Sequence, residues 1–136
     1  MTYPDSAETR RIFKNRWFVR FARQQKIEDA DLCKAVSNAQ RGVIDAILGG
    51  GVIKQRIARA NEGKSGGFRS IILFRVSQHS FFVYGFAKNE RDNIRDDELK
   101  AFKRAAEISL AFDDVELEKL LAAGELTEVQ CNEENL

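Results

Sequence analysis

The fold turns on the stretch Gly49-Gly50-Gly51-Val52-Ile53-Lys54-Gln55-Arg56-Ile57-Ala58, where helical spacing gives way to alternation. Three glycines break the preceding pattern. Beyond them Ile53, Gln55 and Ile57 point to one side of a strand, and Lys54 and Arg56 to the other. Residues 59–67 form a glycine-rich turn. Phe68 to Val76 and Ser80 to Phe86 then read as two further strands, with Gln78, His79 and Ser80 in the tight connection. Short links between strands imply an antiparallel meander. The apolar run Phe81-Phe82-Val83-Tyr84 marks a central strand covered on at least one face.

Upstream of the glycines the period is helical. Trp17, Phe18, Phe21 and Ala22 predict a helix over Arg16 to Gln25 with one aromatic face. Arg16, Arg20 and Arg23 share a different stripe, and no acidic residue lies between Arg10 and Lys26. That stripe is either a solvated face or a phosphate contact. Arg11 to Lys14 fits a short strand. Asp29 or Asp31 caps a second helix reaching about Gln40, with Leu32, Val36 and Ala39 inward. Gly42 stops it, and Val43 to Leu48 fits a loop with buried anchors. Two helices on a short turn predict a helical hairpin packed on the sheet.

Downstream, Asp96 caps a helix through about Leu110, with Leu99, Phe102 and Ala106 inward. Asp113 and Glu116 have the spacing of a capping box, opening a helix that carries Leu117, Leu120 and Leu121. Gly124 ends it, and Glu125 to Val129 fits an edge strand. The expected architecture is α+β, with helices over one face of an antiparallel sheet. One domain spans 1–136, with its core over about 11–110 and a helical extension and tail over 111–136.

Composition bounds the function. The chain has 136 residues, 43% of them apolar, so one core is expected. Two cysteines are too few for a disulfide framework, and reduced thiols are expected, with Cys33 a small buried apolar residue. Met1 to Lys14 lacks a signal peptide's apolar run, and no stretch approaches the roughly 20 apolar residues of a membrane span. A cytoplasmic protein with no membrane contact is expected. Net charge is +1, but residues 1–89 hold 16 Lys and Arg against 7 acids, and residues 90–136 hold 6 against 14. Either the basic body meets an anionic partner or the two parts neutralise each other.

Several chemistries are poorly supported. One histidine, His79, makes neither a His-based metal site nor a Ser-His-Asp triad. No metal and no cofactor is expected. Glu62-Gly63-Lys64-Ser65 looks like the end of a P-loop, but that motif needs glycine where Ala58 stands, and a helix rather than a strand after it. The turn still offers backbone N–H groups and Lys64 to a phosphate.

What remains is a set of cations on strands. Between residues 51 and 75 there are six Lys or Arg and one acid, Glu62. Lys54, Arg56, Lys64, Arg69 and Lys88, with Tyr84 among them, suit RNA: cations meet phosphates and a ring stacks on a base. A solvated basic face with Tyr84 in the core fits the spacing equally well. Cleavage needs no metal, because RNA carries its own 2′-OH nucleophile. It needs a base, charge on the phosphorane and a proton for the leaving oxygen. A lysine crowded by cations can serve as base, while arginine stabilises charge or donates hydrogen bonds.

Three blocks, residues 49–58, Gly63-Lys64-Ser65-Gly66-Gly67-Phe68-Arg69, and Phe81 through Arg91, resemble the RelE/HigB-type toxins of bacterial toxin–antitoxin systems. The resemblance covers residues 49–94 closely and extends over about 11–110. It implies a ribosome-dependent endoribonuclease that cuts mRNA in the A site by metal-independent 2′-OH attack. It also implies a small fold with a curved antiparallel sheet, and a cognate antitoxin, often a helix-turn-helix DNA-binding protein. Lys54 then becomes base or phosphate ligand, and Arg56 its basic neighbour. Arg69 takes transition-state charge, and Lys88 and Arg91 stabilise charge or donate a proton. Tyr84 faces RNA or core. Lys64, and Arg59 in the same turn, contact RNA. The alternatives are a ParE-like gyrase poison and a non-catalytic RNA or ribosome binder on the same scaffold.

Overall fold

The computed structural model describes residues 10–58 and 67–131, so the turn carrying Arg59 and Lys64 lies outside the described residues. The elements are β1 (Ile12–Asn15), α1 (Arg16–Gln25), α2 (Asp29–Gln40), β2 (Ala46–Gly49), β3 (Val52–Ile57), β4 (Phe68–Leu73), β5 (Ser80–Ala87), α3 (Asp96–Ser109), α4 (Asp114–Ala122) and β6 (Leu126–Glu128). No helix among the described residues is long and apolar enough to cross a membrane.

Local chemistry sets the boundaries. Asn15 Oδ1 accepts from the Phe18 N–H and caps α1, while Asn15 Nδ2 donates to Val83 O at 3.2 Å. One side chain therefore starts the helix and ties it to β5. At α2 the cap is Glu28, one residue earlier than expected, and its N–H is held by Asp31 at 2.9 Å. Arg95 rather than Asp96 caps α3, with its N–H on Glu98 Oε1. The expected capping box of α4 is complete: Asp113 accepts from the Glu116 N–H and Glu116 from the Asp113 N–H.

The sheet has six strands in the order β2-β3-β4-β5-β1-β6. The β3-β4-β5 meander is antiparallel, as the short links require. The purely antiparallel sheet is corrected, however: β1 lies parallel to β5, with Ile12 opposite Ser80 and Lys14 opposite Phe82. The N-terminal strand thus sits inside the sheet, and β6 pairs antiparallel on its outer side. Residues 43–48 are also more ordered than a loop. Ala46–Gly49 forms β2, because the glycine turn folds the chain back on β3.

Helices cover both faces of the sheet, not one. On one face Phe18, Phe21 and Ala22 of α1 and Leu32 and Val36 of α2 meet Ile53, Ile57, Phe68, Ile72 and Phe82. On the other, Phe102 and Ala106 of α3 and Leu117 of α4 meet Val52, Ile71, Leu73, Phe81 and Phe86. α1 packs on β5 and β1 while α2 packs on β3, each helix on its own strands. Burying a side chain of this size stabilises by about 1.5–3 kcal/mol. The sheet is therefore held from both sides.

Two long-range features shape the β3 end. Gln55, 3% exposed, donates to Ala35 O and Val43 O and accepts from the Asp45 N–H, joining α2 and the approach to β2 to β3. Gly49, Gly50 and Gly51 all have positive φ, +91°, +62° and +83°. A Cβ on Gly51 would lie 2.9 Å from Leu110 Cδ1 and 3.3 Å from Ala106 Cβ, so α3 lies directly on the turn.

Cys33 of α2 is disulfide-bonded to Cys131, 98 positions later, with Cα atoms 5.9 Å apart. This corrects the expectation of free thiols. The pairing joins distant parts of the chain that composition could not place side by side.

Two stability measurements follow from these contacts. Gly42 also has positive φ (+88°), but nothing lies near its would-be Cβ. Gly42→Ala should destabilise by about 1–2 kcal/mol in urea unfolding through left-handed strain alone. Gly51→Ala should add about 1–3 kcal/mol of overpacking against Leu110. Equal costs would contradict the close seating of α3. Reducing the disulfide, or Cys131→Ser, should lower stability by about 2–4 kcal/mol; unfolding curves unchanged by reductant would contradict it.

Candidate active site

β3 and β4 place Arg56 opposite Arg69 and Lys54 opposite Ile71. β5 extends both rows, with Ile71 opposite Tyr84 and Arg69 opposite Phe86. Residues directly opposite share a face, with Cβ atoms roughly 4.5–5.5 Å apart. Two rows thus cross the sheet, Lys54–Ile71–Tyr84 and Arg56–Arg69–Phe86.

A bulge decides where Tyr84 points. Ile72 faces Phe82 and Ile71 faces Tyr84, leaving Val83 as an extra residue. In a regular strand Phe82, Tyr84 and Phe86 would share one face. Here Phe82 packs under α1 and α2, and Tyr84 and Phe86 lie on the opposite face with the cations. The doubt over Tyr84 is a doubt over this bulge, which the apolar run Phe81 to Tyr84 does not announce.

The cations differ in state. Lys54 is half-buried and Arg56 exposed, and neither has an ion-pair partner among the described residues. Arg69 is buried. Its Nε donates to Asp45 Oδ2 at 3.0 Å, while Nη1 is buried with no hydrogen-bond partner among the described residues. Asp45 reaches it because β2 begins at Ala46 and leaves the rest of β3 without a neighbour on that side. Lys88, one residue past β5, is exposed, with its N–H 3.5 Å from Gly67 O.

Tyr84 lies in an aromatic group. Its ring centroid is 4.5 Å from Trp17, 5.9 Å from Phe102 and 6.2 Å from Phe86. Its hydroxyl accepts from Arg91 Nη1 at 2.8 Å. Arg91 also lies 5.7 Å from the Tyr84 ring centre and 5.6 Å from that of Phe86, and its Nη2 donates to Glu98 Oε1 at 2.7 Å. Glu98 raises the Arg91 pKa, and Arg91, followed by the Arg95 N–H, holds the Glu98 carboxyl below its usual range.

The structure therefore gathers Lys54, Arg56, Arg69 and Tyr84, with Arg91 attached through the Tyr84 hydroxyl. Lys88 stands at the same end of β5. Sequence reasoning missed the partners Asp45, Trp17 and Glu98. Trp17 read only as part of α1's aromatic face, and nothing in spacing pairs Asp45 with Arg69.

His79 sits in the β4–β5 connection, at the other end of the strands. Its Nδ1 accepts from the Arg11 N–H at 2.9 Å, and its ring meets Phe13 edge-on. Burial, then the nearby Arg11 guanidinium, lowers its pKa below the ordinary imidazole value. Arg11 is itself held by Glu128 and Glu118.

The family model described as the RelE toxin of the RelE/RelB toxin–antitoxin system matches residues 10–129. A search of curated proteins finds no matching relative.

The His79 arrangement gives a pH test. The folded state disfavours imidazolium, so the unfolded state binds more protons below about pH 6.5. The stability from neutral His79 is present above that value and is lost as pH falls. His79→Gln keeps an acceptor for the Arg11 N–H but does not titrate. Between pH 7 and pH 5 the wild-type Tm should fall more steeply than that of His79→Gln; parallel curves would contradict the assignment.

Proposed function

This chain belongs to the RelE toxin family, and from that membership we propose that it is a ribosome-dependent endoribonuclease that cuts mRNA in the A site. The observation that carries the reading is the pair of rows on one sheet face, with Lys54 and Tyr84 in one and Arg56 and Arg69 in the next. A cognate antitoxin, in this reading a helix-turn-helix DNA-binding protein, silences it.

The reaction is an internal transesterification. The 2′-oxygen attacks the adjacent phosphorus and gives its proton to a base. The P–O5′ bond breaks, and the 5′-oxygen takes a proton from an acid. The products are a 2′,3′-cyclic phosphate and a 5′-hydroxyl, and neither water nor metal enters the balance. Lys54 is the proposed base or phosphate ligand. Arg56 and Arg69 meet the charge that builds on the phosphorane, which arginine does without exchanging a proton. Nη1 of Arg69 has no partner among the described residues and is buried, so a phosphoryl oxygen reaches it only if the covering side chains move. Tyr84 offers a ring for stacking, and its hydroxyl is already linked to the cationic Arg91. Lys88 stands as charge stabiliser or proton donor, Arg91 as charge stabiliser, and Lys64 and Arg59 as RNA contacts.

The experiment is induced expression with primer extension on a translated message. Wild type should cut within codons. Lys54→Ala, on a half-buried side chain with no ion pair, should fold normally and lose about 10²-fold or more of that cleavage. An intact message with ribosomes present, alongside inhibited DNA supercoiling, would overturn the nuclease in favour of the gyrase poison.

A further inference from the structure

The Cys33–Cys131 disulfide borders a cavity that the nuclease reading leaves unused. The cavity, about 520 Å³, lies between α2 and the β1–β6 edge of the sheet. Ile12, Val36 and Val129 line it with apolar surface, and all three are buried. Cys131 also lines it and is half-buried, whereas Cys33 is 0% exposed. Of the two sulfurs, a reagent in the cavity meets that of Cys131.

The charge around the cavity is mostly of one sign. Arg10, Arg11 and Arg41 line it with a single carboxylate, that of Glu128. Glu128 and Glu118 hold Arg11. Arg10 donates to Gln40, and Arg41 to Ser37 and Asn38, so neither has an acid partner among the described residues. Two guanidinium groups are left for an anion. The chain end, meanwhile, has other anchors than the disulfide. The Val129 N–H donates to Ile12 O at 2.8 Å, the Gln130 N–H donates to Asp29 Oδ2 at 2.8 Å, and β6 pairs with β1. The S–S bond can therefore open and close within a folded chain.

We propose that this cavity binds a small anionic thiol of the glutathione class, which reduces the disulfide through Cys131. The inference is independent of the nuclease reading. A cavity of this volume holds a small molecule, and guanidinium groups match carboxylates in pairs. The two carboxylates of such a tripeptide meet Arg10 and Arg41, which leaves its thiol to face Cys131. Its thiolate attacks the Cys131 sulfur, and the S–S bond breaks. Cys33 leaves as thiolate and takes a proton, and Cys131 holds the mixed disulfide. A second thiolate then attacks the sulfur of the bound thiol and releases Cys131. Two thiols are oxidised to one small disulfide, and Cys33 and Cys131 are reduced.

The test follows reduction of the oxidised full chain by alkylation and mass spectrometry, with glutathione and with the cationic thiol cysteamine. Each rate is divided by that thiol's rate on a small exposed disulfide. For wild type the glutathione rate should saturate over the millimolar range, and glutathione should be favoured over cysteamine by about tenfold at low salt, less as salt rises. Arg10→Gln/Arg41→Gln should lose both the saturation and the preference. Arg20→Gln/Arg23→Gln removes two exposed charges from α1, away from the cavity, and should keep both. Rates linear in thiol with no preference would overturn the proposal, as would a preference that survives in Arg10→Gln/Arg41→Gln. A folded chain that neither thiol reduces, or one that forms no Cys33–Cys131 bond under an oxidant, would overturn it too.

Discussion

The Tyr84 and Arg91 side of the candidate site depends on how closely α3 lies against the Gly49–Gly51 turn. Three consecutive residues at positive φ make the turn tight, and the absence of side chains lets Ala106 and Leu110 sit on the backbone. The turn fixes the β2–β3 pairing, with Ala46 opposite Lys54, and so fixes which β3 residues face α3. The seating of α3 then sets where its first turns go. Phe102 comes to the Tyr84 ring, and Glu98 to Arg91. Glycine thus acts on the site at one remove, through the helix it admits.

Where a local period existed, the elements were legible before the fold. The 3.6-residue spacing of Trp17, Phe18, Phe21 and Ala22 gave α1 its limits, and the alternation of Ile53, Gln55 and Ile57 gave β3 its inner face. What escaped was long-range. β1 has four residues, too few to show a period, and its parallel partner lies 68 positions away in Ser80 (80 minus 12). Cover on both faces comes from the helices at the two ends of the chain, Phe18 and Phe21 of α1 on one side and Phe102 and Ala106 of α3 on the other. The site was legible as residue types and only partly as an arrangement. The bulge at Val83 reverses the side on which Tyr84 falls, and Asp45 meets Arg69 through a contact no spacing rule reaches.

The uneven charge of the chain resolves in two ways at once. Acidic residues of the C-terminal part neutralise some of the basic body: Glu118 and Glu128 hold Arg11, Glu125 meets Arg16, and Glu98 holds Arg91. Other cations have no acid partner among the described residues, Lys34, Arg75, Lys100 and Lys103 among them. Lys54, Arg56 and Lys88 lie at one end of the meander, and Arg20, Arg23 and Lys26 along α1. Trp17 and Tyr84 stand between these groups.

The chemistry assigned to Lys54, Arg56 and Arg69 leaves a mark on its product, and the 3′ end of the cut message reads it directly. Attack by the neighbouring 2′-OH must leave a 2′,3′-cyclic phosphate there and a 5′-hydroxyl on the downstream fragment. End-group analysis of the cleaved message, by mass spectrometry of the isolated fragments, should find that pair. A 3′-hydroxyl with a 5′-phosphate would mean that water attacked instead, and would contradict the account.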